Sequence, residues 1–358
     1  MSGKKEILKT FVIFGLIILF SGAFTLMNGF SDKATAPHVY IEDSAAPLAG
    51  APDISATANA SAFSGKPVAH IEPTDEPAPE PEPKPEPEEP ENVEPEFHTI
   101  YMEPQDVFRG DLILINYEYR YEIPDDHNLI PVSDFISPAY RSPYDYSMLS
   151  ATIIEPLNSM MDAYYSETGR DTVAIISGFR SYEAQQQILN SRIASFGRTE
   201  ALRWVSLPGH SEHHTGLAFD FGFYSGGELR TFLGTGHYAW FRQNSHDYGF
   251  ILRYPNEKAD ITKTAYEPWH FRYVGIPHAF LIHENDLCLE EYIELIMMHD
   301  DENPYVAIVD EDLYDIYFTS GTEIRIPIDC DYYISGNNIE GFIVTLKYNG
   351  QVPHPKTY

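Results

Sequence analysis

Apolar residues run almost unbroken from Phe11 to about Phe30, directly behind Lys4, Lys5 and Lys9. About 20 apolar residues suffice to cross a bilayer as a helix, and the basic flank predicts a cytoplasmic N-terminus. This divides the start of the chain into a basic tail over 1–9 and a single-pass signal-anchor over 10–30. A cleaved signal peptide, with Ser21 and Ala23 as the small residues before the cut, competes with this reading. Apolar residues continue past Ala23, which favours an uncleaved anchor. Either way the remainder is exported, and the expected location is the outer face of the cell membrane.

From Ser31 to Glu96 apolar periodicity disappears and Ala, Ser, Pro and acidic residues dominate. Such a segment cannot bury enough surface to offset its ordering entropy, so a disordered spacer is expected over 31–96. Its Pro-Glu tract, from Pro73 to Pro95, favours an extended polyproline conformation reaching on the order of 70 Å.

Folded structure is expected from Phe97. Asp111–Asn116 reads as a strand. Met148–Tyr165 carries Ile153, Ile154, Leu157, Met160, Met161 and Tyr164 at helical spacing, with Gly169 as a stop. Val173–Ile176 is a short buried strand, and Ser181 is the N-cap of a helix reaching Phe196. Leu217–Phe223 and Phe271–Val274 read as strands, Phe241–Tyr248 and Leu289 to about His299 as helices. Beyond Asp301 come short strands at Tyr305–Val309, Tyr314–Phe318, Glu323–Ile328 and Gly341–Tyr348, split by turn residues. The pattern predicts an α+β domain over 97–300, with a small antiparallel sheet and flanking helices, and a β appendage over 301–358.

A formal net charge of −31 over 358 residues argues against a nucleic-acid partner, which would need clustered Lys and Arg. Two cysteines, Cys288 and Cys330, exclude a disulfide framework, although one bridge between them is open outside the cytoplasm. Oligomeric state is not legible.

Candidate chemistry concentrates in Ser211-Glu212-His213-His214-Thr215-Gly216-Leu217-Ala218-Phe219-Asp220 and, farther on, Glu267-Pro268-Trp269-His270. Imidazoles and a carboxylate are on offer as ligands for one metal, with Glu267 close by to handle protons. Three protein ligands plus an open position for water is the arrangement of a catalytic zinc site. Among 14 histidines, a His near an Asp is weak evidence by itself. The combination with Glu267 and His270 carries the weight. Pro268 disfavours helix at Glu267, so the site must be assembled from separated segments rather than one helix.

These segments resemble the S-x-H-x-x-G-x-A-x-D and E-x-W-H signatures of VanY-type zinc D-alanyl-D-alanine carboxypeptidases. The resemblance extends through Ser177-Gly178-Phe179-Arg180-Ser181-Tyr182-Glu183-Ala184-Gln185, through Tyr248-Gly249-Phe250-Ile251-Leu252-Arg253-Tyr254-Pro255, and through Phe271-Arg272-Tyr273-Val274-Gly275. It covers roughly Asp111 to Tyr292, with Phe179 where the family commonly has Tyr. It implies a hedgehog/DD-peptidase-like fold and trimming of D-alanine from peptidoglycan stem peptides. Carried over by position, His213, Asp220 and His270 bind Zn2+, and Glu267 is the general base and later proton donor. Arg180 anchors the substrate carboxylate or scissile carbonyl, with Ser211 and Gln185 as hydrogen-bonding partners. His210 and His214 are expected to point away from the metal. Trp269 is expected as a pocket wall, while His246, Trp204 and Trp240 are expected in the core. An L,D-carboxypeptidase or endopeptidase using the same zinc site is the alternative, and a non-catalytic wall-binding module the more remote one. The resemblance implies nothing about the β appendage.

Overall fold

The computed structural model describes residues 96–328 and 330–348, all in one compact unit. The expected tail, membrane span and all but the last residue of the spacer lie outside the described residues. Among those described, no helix is long and apolar enough to cross a membrane.

The central sheet is antiparallel and built around β5 (Ala218–Ser225). Along one edge runs β4 (Val173–Ser177). The other edge is shared by β8 (His270–Tyr273), which pairs with residues 218–220, and β6 (Glu228–Thr231), which pairs with residues 222–225. β7 (Phe250–Leu252) pairs with the free side of β8. Side chains alternate across a strand. Phe219 and Phe221 therefore point to one face, where they meet Phe232, Phe241, Phe250 and Phe271 in the main core. Asp220 points to the other face.

Helix α1 (Ile154–Thr168) covers the aromatic face with Leu157, Met160, Met161 and Tyr164, all fully buried. It ends on Gly169 in the left-handed region, as the stop signal predicts. The helix starts later than its periodicity suggests. Met148–Ser150 forms a short strand, β3, against β2 (Leu129–Pro131), and one 3-10 turn intervenes. Helix α2 (Tyr182–Phe196) begins as expected, Ser181 Oγ accepting from the Ala184 amide at 3.2 Å. The segment read as a helix over 241–248 divides into α3 (Ala239–Asn244) and a 3-10 turn at Ser245–Tyr248.

Helices α4 (Ile276–Glu284) and α5 (Leu289–Ile296) pack in a second core together with Leu112, Leu114, Ile251 and Val274. The same core contains Ala307, Val309, Tyr314, Ile316 and Ile343. The C-terminal strands are thus continuous with the body across the boundary expected at residue 300. They are β9 (Tyr305–Val309), β10 (Asp312–Thr319), β12 (Asp331–Gly336) and β13 (Phe342–Tyr348), in the order β12-β13-β10-β9. A separate ladder joins β1 (Phe97–Tyr101) to β11 (Glu323–Pro327). β1 and β12 carry no clear apolar alternation and are not evident from the sequence.

Asp111–Asn116 corrects the sequence reading, since it is buried but not a strand. Buried backbone polar groups need partners, and here they come from outside any ladder. Leu112 N donates to Ser335 Oγ, Leu114 N to the Asn337 carbonyl, and the Leu114 carbonyl accepts from Asn338 Nδ2. No disulfide joins Cys288 and Cys330.

Candidate active site

Register brings the site together. Asp220 pairs with Ser177 on β4 and with His270 on β8, so three neighbouring strands present Ser177, Asp220 and His270 abreast on one sheet face. A bulge between Ile175 and Ser177 adjusts the first of these. The remaining groups enter from loops. His213 lies on a buried 3-10 turn, Glu212–Thr215, that ends on Gly216 at φ 71°. A Cβ at Gly216 would lie 2.6 Å from Leu129 and 2.9 Å from the Ser150 amide, so only glycine permits this approach.

His213 Nδ1 is 2.8 Å from the Gly178 carbonyl, so that nitrogen carries the proton and Nε2 keeps a lone pair. Nε2 lies 3.3 Å from Asp220 Oδ2. Burial, with Arg180 adding to it, pushes the His213 pKa down to about 4. Asp220 is held well below the usual carboxylate range; burial opposes this, but His213 and His270 outweigh it. An imidazole nitrogen and a carboxylate oxygen thus face each other across 3.3 Å, two donors suited to one cation. His270 closes the group, its Nδ1 2.9 Å from Asp220 Oδ1. The two rings stand at 81° with centroids 4.9 Å apart, and the three ligand atoms lie within 4.8 Å of one another. Two imidazoles and one carboxylate converging this way fit zinc, which in catalytic sites takes three protein ligands and a water.

His246, His283 and Glu284 also bring donor atoms together. There the imidazoles stack face to face, 3.8 Å apart and 9° from parallel, so their in-plane lone pairs cannot meet at one ion.

Glu267 is buried beside this group. Burial, reinforced by Asp220 and opposed by His270 and Arg180, pushes its carboxyl up to about 8. Arg180 is held from two sides: Nη1 donates to Gln185 Oε1 at 2.8 Å and Nη2 to Ser177 Oγ at 2.9 Å. Its Nη2 also lies 3.9 Å from Asp220. Gln185, expected at the substrate, is 1% exposed and uses both ends of its amide on the protein, the second on the Ser206 carbonyl at 2.7 Å. It orients Arg180 instead. Ser211 is buried just before the His213 turn.

His214 has both ring nitrogens engaged, at the Arg180 carbonyl and the Gly209 amide, and His210 binds the Asn116 carbonyl. Neither is available to the metal group. Tyr182 serves the scaffold, its hydroxyl bridging Tyr121 and Ile123. Trp269 packs against the main core, Trp240 is buried there, and Trp204 is only half-buried, bonded to Glu200.

Sequence reasoning assigned no role to Glu212, Arg253 and Arg272, which join Glu290 in a buried network. Glu212 accepts from Arg253 Nε at 2.7 Å and Arg272 Nη1 at 3.0 Å, and approaches His270 Nε2 at 3.3 Å. Arg253 forks onto Glu290 at 2.7 and 2.9 Å. The signal was present: Arg272 stands inside an apolar strand, and a fully buried arginine needs a paired acid. Removing one partner from such a buried network typically costs about 3–5 kcal/mol.

The family model for VanY, described as D-alanyl-D-alanine carboxypeptidase, matches residues 146–276. A D-alanyl-D-alanine carboxypeptidase of Enterococcus faecium is 33% identical over 257 residues, 68% of this chain and 77% of that protein. The bifunctional D-Ala-D-Ala dipeptidase and carboxypeptidase VanXYC of Enterococcus gallinarum is 38% identical over 124 residues, 34% of this chain and 65% of its own. Among solved structures, the vancomycin-resistance D,D-dipeptidase VanXYg, in complex with a D-Ala-D-Ala phosphinate analogue, superposes with a TM-score of 0.64 at 32% identity. That match covers 70% of this chain and 99% of VanXYg. Similarity of this extent, running through the segments that build the metal group, places the chain in the VanY family of D-alanyl-D-alanine carboxypeptidases.

Proposed function

We propose that this carboxypeptidase uses one zinc ion, held by His213, Asp220 and His270, to remove the terminal D-alanine from peptidoglycan stem peptides. The observation that carries the metal reading is the convergence of His213, Asp220 and His270, whose ligand atoms lie within 4.8 Å of one another. Bound zinc supplies acidification of water and Lewis-acid polarisation of a carbonyl. The chain's own residues do the rest. Glu267 accepts the proton of the attacking water and returns it to the departing amine. Arg180, fixed by Ser177 and Gln185, offers its fork to the substrate's terminal carboxylate or the scissile carbonyl. Ser211 supplies a further hydrogen bond to the substrate.

Residues 10–30 anchor the chain in the membrane, and the following spacer carries the enzyme outward to the wall. Protease accessibility of the catalytic part in intact cells tests that placement, and complete protection would overturn it. For the reaction, the zinc-loaded chain is incubated with defined stem peptides and the released amino acid is identified by mass. Release of D-alanine from a pentapeptide is expected; release from a tetrapeptide alone would identify an L,D-carboxypeptidase instead.

A further inference from the structure

Glu212 is fully buried one residue before a metal-binding histidine, yet it points to a different one. Its Oε1 accepts from Arg253 Nε at 2.7 Å and from Arg272 Nη1 at 3.0 Å, which leaves Oε2 for His270 Nε2 at 3.3 Å. Neither arginine can drift. Arg253 is forked onto Glu290 of α5, which also accepts from Asn116 Nδ2 at 3.2 Å. Arg272 reaches the Asp111 and Ile113 carbonyls through Nη2, at 2.9 and 3.0 Å, and the Tyr273 carbonyl through Nε.

A histidine that ligates through one nitrogen needs its other nitrogen protonated, and a carboxylate there fixes both tautomer and ring orientation. We propose that Glu212 is a positioning residue for His270, holding the proton on Nε2 so that Nδ1 is presented to the ion. Arg253 and Arg272 clamp Glu212 for this task. The proposal rests on the reading of His270 as a zinc ligand. It connects the metal group to Glu290 and Asn116. Four charged side chains buried together could instead serve stability alone, and the test separates the two roles.

The full chain, labelled with 15N-histidine and loaded with zinc, is expected to show a solvent-protected Nε2–H resonance from His270. A bare or metal-bound Nε2 in that protein would overturn the proposal, and this measurement needs no variant. Glu212→Gln and Glu290→Gln are then compared by chelator competition, with circular dichroism as the check on folding. Losing an outer partner of a ligating histidine typically weakens metal binding about 10–100-fold. That loss is expected for folded Glu212→Gln, together with displacement of the His270 resonance while the His213 Nδ1–H resonance stays in place. A smaller loss of the same kind is expected for Glu290→Gln. Unchanged affinity and an unchanged His270 resonance in folded Glu212→Gln would assign the network to stability alone. Retention of zinc by His270→Ala would instead remove the ligand assignment on which the proposal rests.

Discussion

Asp220 and His270 are a register pair on adjacent antiparallel strands, and their side chains meet at 2.9 Å on the face opposite the aromatic core. Two of the three candidate metal ligands thus owe their geometry to sheet pairing, and the third to a turn that enters β5. Replacing His213 and His270 together by alanine is expected to abolish stoichiometric zinc, read by elemental analysis after dialysis. Treatment of the unaltered chain with a strong chelator should remove activity, and added zinc should restore it. Full activity in the chelated, metal-free chain would sink the metal reading.

Glu267→Gln keeps the shape of the side chain and removes its capacity to take a proton. Turnover is expected to fall about 10²–10⁴-fold, the usual contribution of a positioned acid or base. Zinc content should not change. Stopped turnover with zinc also lost would place Glu267 among the ligands instead.

Arg180→Lys retains charge but loses the planar fork that Ser177 and Gln185 hold. A charge-assisted hydrogen bond contributes about 1.5–3 kcal/mol, so kcat/KM should drop about 10- to 100-fold. Gln185→Leu, which releases one side of the fork, should lower kcat/KM in the same direction without altering zinc binding. If Gln185→Leu left kcat/KM untouched, the amide would have no part in orienting Arg180.

His278 gives a pH dependence away from the active site. Burial pushes its pKa down to about 3, with Nδ1 2.7 Å from the Tyr292 hydroxyl and Nε2 3.1 Å from Thr345 Oγ1. The unfolded chain takes up the proton near pH 6.5 while the folded chain resists it until about pH 3. The stability due to neutral His278 is therefore complete above about pH 6.5 and is lost progressively as pH falls. Between pH 7 and pH 5 the loss should be about 2 kcal/mol. Urea unfolding at both pH values, in the unaltered chain and in His278→Gln, measures it. An equal loss in both proteins would remove His278 as the cause.

Ile316 of β10 shares a core with α4 and α5. Ile316→Ala should lower stability by about 2–5 kcal/mol and leave a single thermal transition. Two separated transitions would show that the C-terminal strands fold by themselves.

Local signals were readable wherever neighbours in sequence determine the outcome. Ser181 caps its helix, Gly169 ends another, and β4, β5 and β8 lie where short apolar runs place them. The residues around the metal group also stand in short contiguous motifs. Distant partners were not readable. Leu112–Ile115 looks like a strand because strands and other buried extended segments share one pattern; the hydroxyl of Ser335 and the amide of Asn338 decide between them from far along the chain. Gln185 presents the same difficulty. Helical spacing places it on α2, but only the tertiary fold turns that face inward onto Arg180 and Ser206.

The pairing of β1 with β11 has a mechanical consequence. The ladder runs from Phe97 opposite Pro327 to Tyr101 opposite Glu323, and Arg325 lies over the Phe97 ring. Tension arriving through the preceding residues would act first on this ladder, the first strand pairing met along the described residues. At about 3.3 Å per strand residue, five residues would yield roughly 17 Å of slack. The sheet that carries Asp220 and His270, which shares no rung with β1, would stay unloaded until that slack was spent.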